Sequence, residues 1–486
     1  MSNLKRNALY NTVYQIIRII FPLITYPYIS RILGPQGIGK VSYAQTFAGY
    51  FTNFALLGLP AYAVREISRS RAYSGQLEKN TGEFLSLSFY LSLSAFLLYV
   101  LSLFVLPTVA PEPILHWIFA LTVLFNWAQI DWFFQGIENY KYITTRNLFL
   151  RVISIVGIFL IIKSKDQYTV YGAIWALSTI LSSFWNVWYC YRLVHPRWSM
   201  DSWKHHLKNS IPTAFLSFSG FIYSSIDTIM LGVMIPDQKY SVGIYNVSGR
   251  IIRITMSILG GLNAVLTPRL AYIHEKGDSE RMELILRKIF TFTLYVTIPA
   301  TIGLSMVADD VILLFAGSKF RESILTLRIL SIEFVFLGLT GILSQLLYST
   351  RKEKQLLWIN LVSLSVAILT NRFAIPMYKQ DGAALATLFT RFLQSCLLLC
   401  ATLSIVRKVV DVRSYIHIGL VNLFLGILIA CMKTLCLSLT PLSRLLITVL
   451  TSIIGYVLFS WVLRIEPFLL VKDWMLQRVF KTRSGL

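Results

Sequence analysis

The stretch that decides the fold runs from residue 207 to residue 272, LKNSIPTAFLSFSGFIYSSIDTIMLGVMIPDQKYSVGIYNVSGRIIRITMSILGGLNAVLTPRLAY, two apolar runs joined by the short turn IPDQKYSVG at 235–243. At about 1.5 Å per residue, each run is long enough to cross a hydrocarbon core of about 30 Å. The stretch reads as a transmembrane hairpin. Inside it stand Asp227, Arg250 and Arg253. A charge at mid-bilayer costs at least about 2.5 to 3.5 kcal/mol, so such side chains face a partner or a watery cavity. Counted from the turn, Asp227 and Arg250 lie at similar depth, roughly two helical turns in, where they can pair. Arg253 shares a helix face with Arg250 and lies nearer the midplane, which makes a cationic stripe.

Outward from the hairpin the composition agrees. Of 486 residues, 55% are hydrophobic and 14% charged, with a mean hydropathy of +0.63, outside the range of ordinary soluble domains. The chain is expected to be an all-α polytopic membrane protein of about 14 transmembrane helices. The spans are read at 8–33, 40–64, 82–106, 114–137, 147–163, 170–191, 209–235, 242–268, 289–307, 323–349, 355–375, 382–406, 415–434 and 443–463. A net charge of +22 might suggest nucleic acid, but the cations fall in short segments between apolar runs, and no nucleic-acid partner is expected. With the N-terminus inside, 29 of the 45 Lys and Arg fall in cytoplasmic segments, 9 in external ones and 7 within spans. That bias predicts cytoplasmic termini. The first run is too long for a signal peptide and should remain as a span.

The segment GPQGIGKV, residues 34–41, approaches a phosphate-cradling loop, but Val41 replaces the metal-binding hydroxyl and no strand precedes it, so it reads as a Gly/Pro turn. Gly58 and Pro60 are placed to bend the end of the second span. Asp131, at the inner end of the fourth, is either functional or set in the headgroup zone. The polar connector 192–208 separates two similar halves: at an offset of about 204, Gly39 maps onto Gly243 and Arg65 onto Arg269. Six spans on each side make a parallel repeat, with pseudo-symmetric six-helix bundles at 1–200 and 201–408 and two extra helices with a basic tail at 409–486. In the second half, Glu333 lies in the tenth span, while Arg391 and Gln394 share a face of the twelfth. Arg328 and Arg372 are near enough the outer surface to snorkel. Residues 308–320 should form a short interfacial element.

No chemistry of an enzyme emerges. The five cysteines show no paired-ligand spacing, so neither disulfide nor metal is expected. His205-His206 reads as interfacial, and no acid, base and nucleophile stand at a recognisable spacing.

The opening LYNTVYQIIRIIFPLITYPYISRILGPQGIGKVSYAQTFAGYFTNFALLGLPAYAVREISR (9–69) and the later SSIDTIMLG (224–232) closely resemble bacterial polysaccharide flippases of the Wzx type, in the superfamily that also holds multidrug and toxin extruders and lipid II flippases. The resemblance implies transfer of undecaprenyl-diphosphate-linked oligosaccharide repeat units across the cytoplasmic membrane, for O-antigen, capsule or exopolysaccharide. It also implies two six-helix bundles around a cationic cavity. By position, Arg18, Asp227, Arg250 and Arg253 would line that cavity, and Arg391 joins them through its span. Physical chemistry points the same way, since an anionic diphosphate with a large polar head needs a wet, positive passage and arginine offers planar multi-donor forks. Asp227 or Glu333 could serve as a protonation site for a coupled proton or sodium ion; no other cofactor is expected. Expected partners are the lipid bilayer and a polymerase and chain-length regulator of polysaccharide assembly. Two alternatives remain open at this stage: a cation-coupled multidrug exporter and a non-transporting scaffold.

Overall fold

The computed structural model describes residues 3–107, 111–276, 278–350, 352–409, 411–465 and 468, with side chains described from residue 20 onward apart from 74, 212, 216, 258–272, 274, 275 and 279. Among these residues there is helix and no strand, because backbone groups in hydrocarbon must be satisfied within their own segment. The helices are α1 (Asn3–Leu56), α2 (Leu59–Ser70), α3 (Ser74–Val105), α4 (Pro113–Leu124), α5 (Asp131–Gly136), α6 (Tyr140–Ile161), α7 (Tyr168–Leu193) and α8 (Trp203–Met234). They continue as α9 (Tyr240–Glu275), α10 (Ser279–Met306), α11 (Ala308–Phe315), α12 (Ser323–Ser349), α13 (Glu353–Val409), α14 (Val412–Leu435) and α15 (Pro441–Val462).

Among the described residues, nine helices are long and apolar enough to cross a membrane, or ten if one bent pair counts as a single span. Two helices are too long for one crossing. Helix α1 has 54 residues and α13 has 57, about 81 and 86 Å end to end at the standard rise. Each is broken once, α1 at Gly34 (φ 67°) before Pro35 and α13 at Lys379 (φ 50°). The bend expected near Gly58 is present: Leu57 and Gly58 both take positive φ, and the helices on either side diverge by 41°. A side chain at Gly58 would also bring its Cβ within 2.2 Å of the Ala214 amide nitrogen.

The fourth expected span is present at Pro113–Gly136, with its helix interrupted inside: α4 stops at Leu124, a 3-10 turn covers Phe125–Ala128, and helix resumes at Asp131. Within this interruption Asn126 sends its amide to the Thr52 carbonyl of α1 at 3.2 Å. The fifth begins at Tyr140 rather than 147, capped by the Asn139 side chain accepting from the Tyr142 amide at 3.3 Å.

The chain divides into two compact units, residues 1–246 and 247–486. In the first, one apolar core centres on Phe84, Trp132, Phe133 and Phe134, and another on Ala48, Tyr99 and Phe119. Within this unit Gly39 and Gly243 lie against each other's segments: a Cβ on Gly39 would lie 1.8 Å from the Lys239 carbonyl oxygen, and one on Gly243 would lie 1.9 Å from that of Pro35. In the second unit, Leu286, Leu343 and Leu346 form one core, and Val421, Leu425 and Tyr456 another that includes the last two helices. Large apolar side chains remain outward on both, among them Phe104 at 78%, Phe373 at 71% and Val462 at 66% exposure. Apolar surface on this scale belongs against lipid.

Candidate functional site

In the first unit, Asp227 is buried on α8 and accepts from the Tyr245 hydroxyl of α9 at 2.8 Å. One position on, Asn246 donates to the Thr228 hydroxyl at 3.4 Å, so the hairpin is laced by polar pairs across its turn. Asp131 accepts from Arg146 Nη2 and from Asn186 Nδ2, each at 2.9 Å. Arg146 also donates to Asn186 Oδ1, and its side chain is almost wholly buried. The expected spans leave Arg146 in a connecting segment, and this is corrected: the early start of α6 makes it a buried helical residue. His206 is likewise buried, whereas His205 is exposed. Arg18 lies outside the described side chains.

At the opposite end of this unit, a cavity of about 480 Å³ is lined by Lys40, Glu112, His116 and Lys239 among others. Lys40 pairs with Glu112 at 2.6 Å. Lys239 donates to the Gly232 carbonyl and sits 4.1 Å from the centre of the Tyr43 ring. Burial holds the Lys239 ammonium below the ordinary lysine value.

In the second unit, Arg250 is half-buried and Arg253 exposed on α9. The Arg253 guanidinium lies back along its own helix, 3.2 Å from where a Cβ at Gly249 would stand. Glu333 is buried on α12 and pairs with Arg391 Nε at 2.9 Å. Arg391 donates to Gln394 Oε1 at 3.1 Å, and Gln394 to Asn360 Oδ1 at 3.0 Å, so a charged pair continues into a polar chain across two segments of α13. The segment 308–320 contains the short helix α11, tied to the last two helices by Asp309–Lys433 at 2.7 Å and by the Asp310–Arg444 pair. A second cavity of about 880 Å³, almost entirely apolar, lies among α10, α14 and α15 and is lined by residues including Pro299, Leu425, Leu445 and Tyr456.

Of the candidate residues, the structure brings Glu333 and Arg391 together and sets Arg250 and Arg253 on neighbouring turns of one helix. Asp227 lies on α8 and Arg250 on α9. Asp131 finds a partner that was not on the sequence's list.

An arrangement of intramembrane arginines, buried ion pairs and an apolar cavity suits transport of an amphiphile, and comparison with known proteins agrees. Residues 4–274 match the polysaccharide biosynthesis protein family. The chain belongs to that family. Residues 212–373 also match the MatE family. A protein of Escherichia coli strain K12 named "Putative O-antigen transporter" is 24% identical over 416 residues, 82% of this chain and 96% of that one. A protein of Haloferax volcanii named "Probable low-salt glycan biosynthesis flippase" is 23% identical over 171 residues, 35% of this chain and 36% of that one. Among solved structures, the lipid II flippase MurJ in its inward closed conformation gives a TM-score of 0.71 at 16% identity, covering 94% of this chain and 98% of that one. An inward-facing multidrug resistance MATE family transporter gives 0.61 at 16% identity, covering 83% and 95%. These likenesses show a shared helical transporter fold. The protein is a multi-pass membrane protein of a transporter family, not an enzyme.

Proposed function

We propose that the protein is a flippase that moves undecaprenyl-diphosphate-linked oligosaccharide repeat units from the cytoplasmic to the outer leaflet of the bacterial inner membrane, by alternating access, for O-antigen, capsule or exopolysaccharide. The observation that carries this reading is the pair of arginines in the apolar helix α9, with Arg253 exposed at mid-helix. A guanidinium there has its use where an anion passes, and its fork fits a diphosphate or an acidic sugar. Arg18, Arg250, Arg253 and Arg391 are assigned to the substrate path. Asp227, Glu333 and Asp131 are assigned to ion coupling or salt bridging, with a proton or sodium as the coupled ion. The apolar cavity among α10, α14 and α15 suits a polyprenyl tail. The repeats at 1–200 and 201–408, the added helices after 409, cytoplasmic termini, and work alongside a polymerase and chain-length regulator belong to the same reading. Names of the relatives support the class of cargo.

Deleting the gene in a bacterium that lacks a second copy should trap lipid-linked repeat units on the cytoplasmic side and abolish surface polysaccharide. Normal surface polymer in that strain would exclude the proposal.

A further inference from the structure

One group of titratable side chains in the first unit is buried, mutually bonded and unused by the reading above. Glu83 on α3 is 3% exposed and His206 near the start of α8 is 6% exposed. His206 Nε2 lies 2.7 Å from Glu83 Oε2, and its Nδ1 lies 3.2 Å from the Tyr62 hydroxyl of α2. The Ser202 hydroxyl donates to Glu83 Oε1 at 3.1 Å. The Phe84 ring, itself fully buried, lies tilted 4.6 Å from the imidazole and edge-on 5.7 Å from Tyr62, screening the group from water.

The chemistry of these three residues makes a reversible proton holder. When neutral, His206 donates from Nε2 to the carboxylate and accepts at Nδ1 from the tyrosine hydroxyl. When protonated, it donates from both nitrogens, and the hydroxyl turns to accept. A hydroxyl rotates without moving heavy atoms, so the imidazole keeps a partner at both nitrogens in either state. Glu83 supplies the counter-charge. Histidine is the side chain whose charge ordinarily changes between about pH 5 and pH 8. The surrounding charges come from α2, α3, α8 and the connector, and from α5, whose Trp132 packs on Phe84 and which carries Asp131, with Glu138 just beyond it paired to Arg71 at 2.7 Å. On α3, Lys79 stands 3.9 Å from Glu83, and Glu78 pairs with Arg197 of the connector at 3.5 Å. On α2, Arg69 pairs with Glu66 at 2.9 Å, and Arg65 follows Val64. On α8 the His205 ring lies 5.9 Å from that of His206, with Lys204 and Lys208 flanking and Asp201 just before the helix.

We propose that Glu83, His206 and Tyr62 form a proton-binding site that takes up one proton as the start of α8 docks against α2 and α3 and releases it as that end loosens. Only the Nδ1–H bond forms and breaks, and the proton comes from and returns to water. An imidazolium–carboxylate bond is stronger than its neutral counterpart, so the docked arrangement holds the proton and docking becomes proton-linked. The proposal rests on the flippase reading, since it gives that transport a pH dependence.

The test uses purified full-length protein with two readouts. In proteoliposomes, wild-type movement of undecaprenyl-diphosphate-linked oligosaccharide should change roughly tenfold between about pH 6 and pH 8. His206→Gln and Glu83→Gln should flatten that profile, whereas His205→Gln, the exposed neighbour, should leave it intact. In detergent, the thermal unfolding midpoint should show the same pH-dependent step in wild type and lose it in both variants. Tyr62→Phe keeps both titrating groups and removes one partner, so it should weaken the step; if His206→Gln does not fold, an unchanged profile in Tyr62→Phe overturns the proposal. Wild-type pH dependence in folded His206→Gln overturns it outright. A wild-type protein that moves no lipid-linked sugar would instead defeat the flippase reading, while the unfolding profile still judges the proton site.

Discussion

Arg253 and Arg391 are both arginines inside spans, but their surroundings differ. Arg391 is half-buried and bonded to Glu333 and Gln394, and Arg253 is exposed on α9. Replacing Arg253 with Ala should therefore leave insertion and abundance unchanged while nearly abolishing surface polymer. Arg253→Lys should retain part of it, because charge survives without the fork; immunoblotting and polysaccharide staining of the same cells check both. For the Glu333–Arg391 pair the expectation reverses: Arg391→Ala strands the Glu333 carboxylate and should cost about 3–5 kcal/mol of stability, seen as lost abundance and a lower unfolding midpoint, with partial recovery on adding Glu333→Gln. The sequence exposed these arginines because each interrupts an apolar run. It hid Arg146 and His206, which sit in locally polar text, KYITTRN and SWKHHLK, where a buried charge and a loop charge look alike. Only the cap residue Asn139 hinted that helix had already begun before Arg146.

At the scale of elements, glycines were legible where backbone geometry constrains them. Gly34 and Gln238, 204 positions apart, both take positive φ, and Gly39 and Gly243 each stand against a backbone carbonyl oxygen of the other's segment. Gly39→Ala or Gly243→Ala should overpack this contact at about 1–3 kcal/mol or more and lower abundance. Gly75→Ala, with nothing within 4 Å of its would-be Cβ, should not. Neutral abundance in both clasp variants would show that the contact is not needed. The interruption between α4 and α5 was not legible, and the bond that Asn126 makes there to Thr52 joins distant segments. The short helix α11 carries a pH signature. Burial pushes the Asp309 carboxyl up, but the hydrogen bond and charge of Lys433 outweigh it and hold the group below the usual carboxylate value. A depressed carboxylate adds stability above its unfolded value and loses it as pH falls through the folded one. Below about pH 4, the wild-type unfolding midpoint should thus fall more steeply than that of Asp309→Asn.

For the whole molecule, hydropathy and the distribution of cations were enough to read a helical polytopic membrane protein, because the bilayer leaves the backbone few choices. Family membership followed from the opening seventy residues and SSIDTIMLG, and the match over residues 4–274 spans both. Partners across the fold were beyond the sequence. The Glu333–Arg391 pair joins residues 58 positions apart, and Asp131–Arg146 depends on where a helix starts. The central claim is that this chain carries a diphosphate-linked sugar across a membrane through a path lined by arginine. Its most direct test is to reconstitute the purified protein with undecaprenyl-diphosphate-linked oligosaccharide placed in one leaflet and follow its arrival in the other with a membrane-impermeant sugar-reactive probe. The account predicts transfer with wild type and near-background transfer with Arg253→Ala at equal protein content; transfer no faster than in protein-free liposomes, or equal in both proteins, would contradict it.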